Sequence, residues 1–116
     1  MFLEPCPDKP NCVSTEANDK RHAIAAIPYK DDMRKAMERM KAVVAKMPNT
    51  RLINESADRL IYEFRSSFFR FVDDVVFVFV EKEKLIHFRS ASRTGHSDLG
   101  VNRERMEKIR QLYTSS

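Results

Sequence analysis

Cysteine is scarce in this chain. Its 116 residues hold only two, Cys6 and Cys12, both inside the stretch CPDKPNC. The spacing is not C-x-x-C, so a thioredoxin-like redox role has little support, and two thiols are half of what a structural zinc needs. No apolar run is long. The longest, Val75 to Val80, falls well short of the roughly 20 residues that cross a bilayer as a helix. A secretory leader is not visible either, because Met1-Phe2-Leu3-Glu4 meets an acid and two prolines almost at once. That pattern fits a cytosolic chain, or one whose targeting segment lies outside this sequence. Low-complexity tracts and long-period repeats are missing, and so is a strong charge of one sign. The 21 basic and 17 acidic residues leave +4, which permits an anionic partner without requiring one.

What is present describes a soluble globular chain, 42% hydrophobic and 33% charged. Its length is enough for one core and too little for two. The sequence accordingly reads as a single domain over residues 1–116, an extended arm (1–29) ahead of a body (30–116). The arm shows neither helical nor strand periodicity and carries four of the five prolines. A stretch of that length without regular structure is either functional or disordered. Ile24, Ile27 and Tyr29 argue against disorder, so the arm is expected to lie pressed onto the body.

In DDMRKAMERMKAVVAKM, Met33, Met37, Met40, Val44 and Met47 recur every three or four residues, one apolar stripe of a helix. Asp31 or Asp32 suits its N-terminus and Pro48 stops it. The methionines read as core filling rather than a soft metal site. Four strands follow. TRLINE (50–55) and RLIYEFR (59–65) flank the turn SAD. VVFVFV (75–80) is apolar on both sides, so both sides must be covered; KLIHFRS (84–90) comes after a charged turn. A closing helix from about Asn102 to Tyr113 turns Met106, Ile109 and Tyr113 inward. The order arm-α-β-β-β-β-α, with short links, predicts an α+β two-layer sandwich: a four-stranded antiparallel meander with two helices on one face. The arm is the natural cover for the other face, with a dimer partner as its rival.

Charge is expected to collect at one end of that sheet. The second and fourth strands end alike, in FRSS (64–67) and FRSA (88–91), and in a meander they run in parallel. Their ends then share an edge with Asp73 and Asp74, which precede the third strand. Arg65, Arg89, Asp73 and Asp74 should therefore converge, joined by Arg93 from the next loop. Two readings stay open. One is a structural network of arginines forked onto carboxylates. The other is an anion pocket, where surplus arginines and the start of the last helix grip a carboxylate or phosphate. SRTGHSDLGVNR, which holds both glycines, Gly95 and Gly100, would bring His96, Ser97, Asp98, Asn102 and Arg103 to such a pocket.

Catalysis has less support. His96-Ser97-Asp98 names the members of a triad, but adjacent residues cannot stack into nucleophile, base and orienter. A small hydrolase or isomerase using His96 with Asp98 or Asp73 is the rival reading. His22 and His87 read as ordinary hydrogen-bonding residues. Phe68, Phe69 and Phe71 around Arg70 suggest base stacking or contact with a membrane surface. Closure of the end of the core is the simpler account, and no nucleic-acid-binding signature accompanies them. For the thiols, Pro7-Asp8 and Pro10-Asn11 each favour a tight turn that brings Cys6 and Cys12 towards bonding distance. A disulfide is the first expectation and buried free thiols the second. A metal site completed by His22 and His96 comes last. A disulfide implies an oxidising compartment.

The segments PCPDKPNCVST, MPNT, EFRSSFFRFVDDVVF and RSASRTGHSDLGVNRERMEKIR resemble a bacterial and plastid family, domain of unknown function 1499, over nearly the whole chain. Members similar in these segments often carry a signal or lipid-attachment sequence ahead of the cysteine loop, or belong to the thylakoid lumen. The resemblance thus implies a periplasmic, envelope or lumenal setting, and it supplies no catalytic residues. The combined expectation is a non-catalytic module without cofactor or metal. It would bind a small anionic ligand, or an acidic group on a protein partner, through Arg65, Arg89, Arg93 and the loop from Gly95 to Asn102, with Asp73 and Asp74 orienting the arginines. Nucleic acid is not an expected partner, and membrane contact has no support beyond the aromatic cluster. An oligomer built on the apolar sheet face is the third reading.

Overall fold

The computed structural model describes residues 2–66, 71–95 and 97–116. Eight elements follow one another: β1 (Cys12–Ser14), β2 (Ile27–Pro28), α1 (Met33–Ala45), β3 (Thr50–Glu55), β4 (Arg59–Arg65), β5 (Val72–Val80), β6 (Leu85–Ser92) and α2 (Val101–Thr114). The fold is α+β. β3 to β6 form the antiparallel meander expected from the short links, and both helices lie against one face of the sheet. That inner face contributes Leu60, Phe77, Phe79, Ile86 and Phe88 to a single apolar cluster with Met40, Val43 and Val44 of α1 and Met106 and Ile109 of α2. Asp32 starts α1 as predicted, its side chain accepting from the Lys35 amide at 2.9 Å. Among the described residues no helix is long and apolar enough to cross a membrane.

The sheet has six strands rather than four, because part of the arm joins it. β1 and β2 pair in succession along the outer edge of β6, Val13 opposite Ser90 and Ile27 opposite Ile86. That edge would otherwise present a row of amides and carbonyls without partners. Strands of three and two residues are too short to display a period, which is why the sequence reads there as plain extended chain. Ile24, Ile27 and Tyr29 are buried in the shared core, as their apolar character required.

The first residues of the arm lie on the second, outer face. The Phe2 ring leans on His87, centroids 6.2 Å apart, while the Phe2 and Leu3 amides donate to the Glu16 carboxylate at 2.8 and 3.0 Å. Long side chains of the neighbouring strands flank the outward valines: Arg89 stands opposite Val76, and Arg59 and His87 stand opposite Val78. Cys6 and Cys12 are joined as a disulfide, their Cα atoms 5.7 Å apart. It anchors the head of the arm to the edge strand β1.

Candidate functional site

The expected convergence of five charged residues is split by the pleat. β5 begins at Val72 rather than Val75, so Asp73 and Asp74 lie within the strand, and consecutive strand residues face opposite sides. Asp73 points inward and Asp74 outward. β6 runs on to Ser92, which leaves Arg89 in mid-strand, opposite Val76, rather than at the sheet's end. Three sets of residues therefore replace the one corner.

The inward set is a polar network between the sheet and the start of α2. Arg105 donates to Asp73 at 2.5 Å and to the Asn102 carbonyl oxygen at 2.7 Å, and its guanidinium stacks 4.9 Å from the Phe64 ring centre. Both side chains of the Asp73–Arg105 pair are about nine-tenths buried, at 10% and 11% exposure. Ser90 donates to Asn102 at 2.7 Å, and the Asn102 amide group donates to Asp98 at 2.7 Å and Ser92 at 3.0 Å. Asp98 also accepts from the backbone amides of Gly100 (2.8 Å) and Asn102 (3.1 Å). The outward amides that were to bind an external anion thus have an internal one. Gly100, at φ 84, supplies the left-handed turn that lets Asp98 reach back. Asn11 ties the arm in, its side-chain amide donating to the Gly95 carbonyl at 2.8 Å.

The outward set at the sheet's end is an ion-pair network. Arg93 grips Asp74 with two hydrogen bonds, 2.6 and 3.1 Å, and reaches Glu63 at 2.9 Å. Arg65 meets the other oxygen of Glu63 at 3.4 Å. Asp74, and then Glu63, hold the Arg93 guanidinium still more firmly protonated than an ordinary arginine. Two cations face two carboxylates here, and no surplus positive charge is left over.

The third set was only half visible in the sequence. Arg89 and Arg59 line a recess of about 140 Å³ on the outer face, floored by Val76 and walled by Phe2, Leu3 and Glu4. No carboxylate forms an ion pair with either arginine among the described residues. Among the described residues the Arg89 side chain makes one long hydrogen bond, Nη2 to the Pro5 carbonyl at 3.4 Å, and its buried Nε has no partner. A wider groove of about 580 Å³ follows the exposed side of α2, but its Arg110 is already paired with Glu107 at 2.8 Å.

A family model described as a protein of unknown function (DUF1499) matches residues 2–112. The chain belongs to this family. No curated protein and no solved structure matches it. Ser97, Asp98 and Arg103 line a second recess of about 210 Å³ together with Cys12 and Arg21. Arg103 donates there to the Arg21 carbonyl at 3.1 Å, and Arg21 is ion-paired with Asp8. His96 lies outside the described residues, as do Phe68, Phe69 and Arg70; Phe71, the described ring of that cluster, is 57% exposed rather than closing the core. Asp73 and Asp98, the carboxylates named for a His96-based catalyst, are both engaged in the inward network. His22 is buried between Asp19 (2.6 Å) and the Lys9 carbonyl (2.8 Å), and His87 bridges Thr15 and Glu83. Both serve as ordinary hydrogen-bonding residues.

Sequence reasoning missed Glu63, Arg105 and Arg59. Arg105 had a signal: the inward stripe Tyr113, Ile109, Met106 extends back to Asn102 and Arg105, which puts polar groups where apolar ones are the rule. Arg59 had none short of the register between β4, β5 and β6.

Proposed function

We propose that this DUF1499 chain is a non-catalytic binding module whose site is the Arg59–Arg89 recess, and that its ligand is a small anion or the acidic group of a protein partner. The observation that carries this reading is the buried Arg89 Nε without a partner, in a recess also lined by Arg59, which has no ion pair among the described residues. A buried N–H without an acceptor is costly, and an incoming phosphate or carboxylate supplies the missing acceptors in the planar geometry guanidinium prefers. The volume decides the size class. Sites for drug-sized molecules occupy about 300–1,000 Å³, so 140 Å³ suits one anionic group on a larger molecule, or a free small anion. Arg65, Arg93 and the start of α2 support the fold instead, since their charges and amides are already matched.

Titration with inorganic phosphate, followed by calorimetry, tests the reading. Removing a charge-assisted hydrogen bond costs about 1.5–3 kcal/mol, so Arg89→Ala is expected to weaken phosphate binding about ten- to hundredfold and Arg93→Ala much less. An Arg89→Ala protein that binds as well as the parent counts against the site. An extracytoplasmic setting belongs to the same proposal, supported by the Cys6–Cys12 bond. Its check is a thiol count on protein extracted from cells without reductant, where two titratable thiols after denaturation would overturn it.

A further inference from the structure

The segment that walls the Arg59–Arg89 recess is a strap, tied at both ends. At one end the Cys6–Cys12 bond joins it to β1, where Cys12 sits opposite Ala91 of β6. At the other, the Phe2 and Leu3 amides are held by the Glu16 carboxylate and the Phe2 ring rests on His87. Between the ties, Leu3 and Glu4 wall the recess and the Pro5 carbonyl takes the one hydrogen bond that the Arg89 side chain makes among the described residues. Among the described residues, none from 2 to 6 forms a backbone–backbone hydrogen bond. Without the disulfide the strap hangs on side-chain contacts alone.

The loop behind it is held differently. Asp8 pairs with Arg21, the Lys9 carbonyl meets His22 at 2.8 Å, the Asn11 side chain reaches Gly95 at 2.8 Å, and β1 is laddered to β6. Those contacts do not depend on sulfur, so opening the bond leaves residues 2–6 held by the Glu16, His87 and Arg89 side chains alone while Cys12 keeps its place.

We propose that the Cys6–Cys12 disulfide is a redox latch on the anion site. Oxidised, it holds a strap bearing the acidic Glu4 and the Pro5 carbonyl over the two guanidiniums; reduced, it lets the strap leave and opens the recess to a small anion. The proposal rests on the reading of the recess as an anion site and adds its regulation. The reductant is a dithiol, small or carried by a protein. Its thiolate attacks the sulfur of Cys6, the more exposed residue of the pair, forming a mixed disulfide and releasing the Cys12 thiolate, which takes up a proton. The second thiol of the reductant then displaces the Cys6 sulfur, which is protonated in turn. The protein gains two electrons and two protons, and the reductant ends as a disulfide.

Inorganic phosphate is the probe, added to the full chain either oxidised or in excess dithiothreitol. Binding is followed on the Nε–H resonances of Arg59 and Arg89, with amide exchange of Leu3 measured in the same samples. Reduction is expected to speed Leu3 exchange and tighten phosphate binding, each by about tenfold, within what opening a seven-residue loop releases. Cys6→Ser/Cys12→Ser should match the reduced protein in either buffer, and Glu4→Gln should tighten binding to the oxidised form. Equal exchange and equal affinity in both redox states overturn the latch; if Arg59→Ala/Arg89→Ala still abolishes that binding, the anion site stands without it. Phosphate bound by neither state, or bound alike by the double variant, overturns the site and the latch together. Loss of amide protection throughout the chain on reduction overturns the latch as well, because the bond then holds the fold rather than the strap.

Discussion

At the residue scale, a counter-ion separates an arginine that builds the protein from one that is left for a ligand. Arg105 has Asp73, buried with it beneath the sheet. Removing one partner of such a pair strands the other in low dielectric and costs about 3–5 kcal/mol. Arg105→Ala is therefore expected to lower unfolding stability by that order in a urea titration, while replacing both partners with apolar residues of similar volume should recover most of the loss. Arg89 has no such partner, and Arg89→Ala is expected to change stability by less than about 1 kcal/mol. An Arg89→Ala chain that fails to fold would assign the residue to structure. Tyr29 offers a pH handle. Burial first, and then its 2.9 Å hydrogen bond to Glu81, hold the phenol protonated well above the usual tyrosine range. The unfolded chain releases that proton near pH 10, so this contribution to stability is complete below about pH 10 and is lost as the pH rises towards the folded-state value. Denaturation midpoints measured from pH 8 to 11 should fall at the alkaline end, and less steeply in Tyr29→Phe.

At the element scale, the start of α2 joins three parts of the chain. Asp98 accepts from the Gly100 and Asn102 amides and from the Asn102 side chain. Asn102 in turn reaches Ser90 and Ser92 of β6 and the backbone of Asn11 in the arm. The motif therefore caps a helix and docks it on the sheet edge. Asp98→Ala is expected to cost about 1–2 kcal/mol, the upper part of the range for a lost helix cap, and to raise amide exchange first at Asn102 and then in β1. Exchange unchanged in β1 would show that the arm does not depend on this junction. The period of three and four made both helices legible, and alternation made β4 legible. No comparable pattern marked β1 and β2, which are strands only because β6 has an edge to fill.

At the scale of the whole molecule, the arm adds two strands to the sheet, buries Ile24, Ile27 and Tyr29 in the common core, and lays its first residues over the outer face. The disulfide pins only the head of this arrangement. Closing a loop of seven residues contributes about 2 kcal/mol in the chain-entropy model. Cys6→Ser/Cys12→Ser should therefore unfold at lower urea, by a shift matching that figure, with the slope of the transition unchanged. A variant that never folds would mean that the bond is required to assemble the sheet edge.

By itself, the sequence determined the class of fold, the helix whose apolar stripe runs from Met33 to Met47, the meander and the nearness of the two cysteines. These follow from periods, turn residues and loop lengths, which act between near neighbours in the chain. It also carried the likeness to the DUF1499 family in which the chain proves to belong. The tertiary structure alone decided which charges meet. A start of β5 three residues earlier than the apolar run sent Asp73 inward to Arg105 and Asp74 outward to Arg93. Register across three strands set Arg59 and Arg89 on either side of β5, and residues 2–4 complete the recess they line. A residue's own element sets the side it faces; packing between distant segments decides whether its charge is neutralised there.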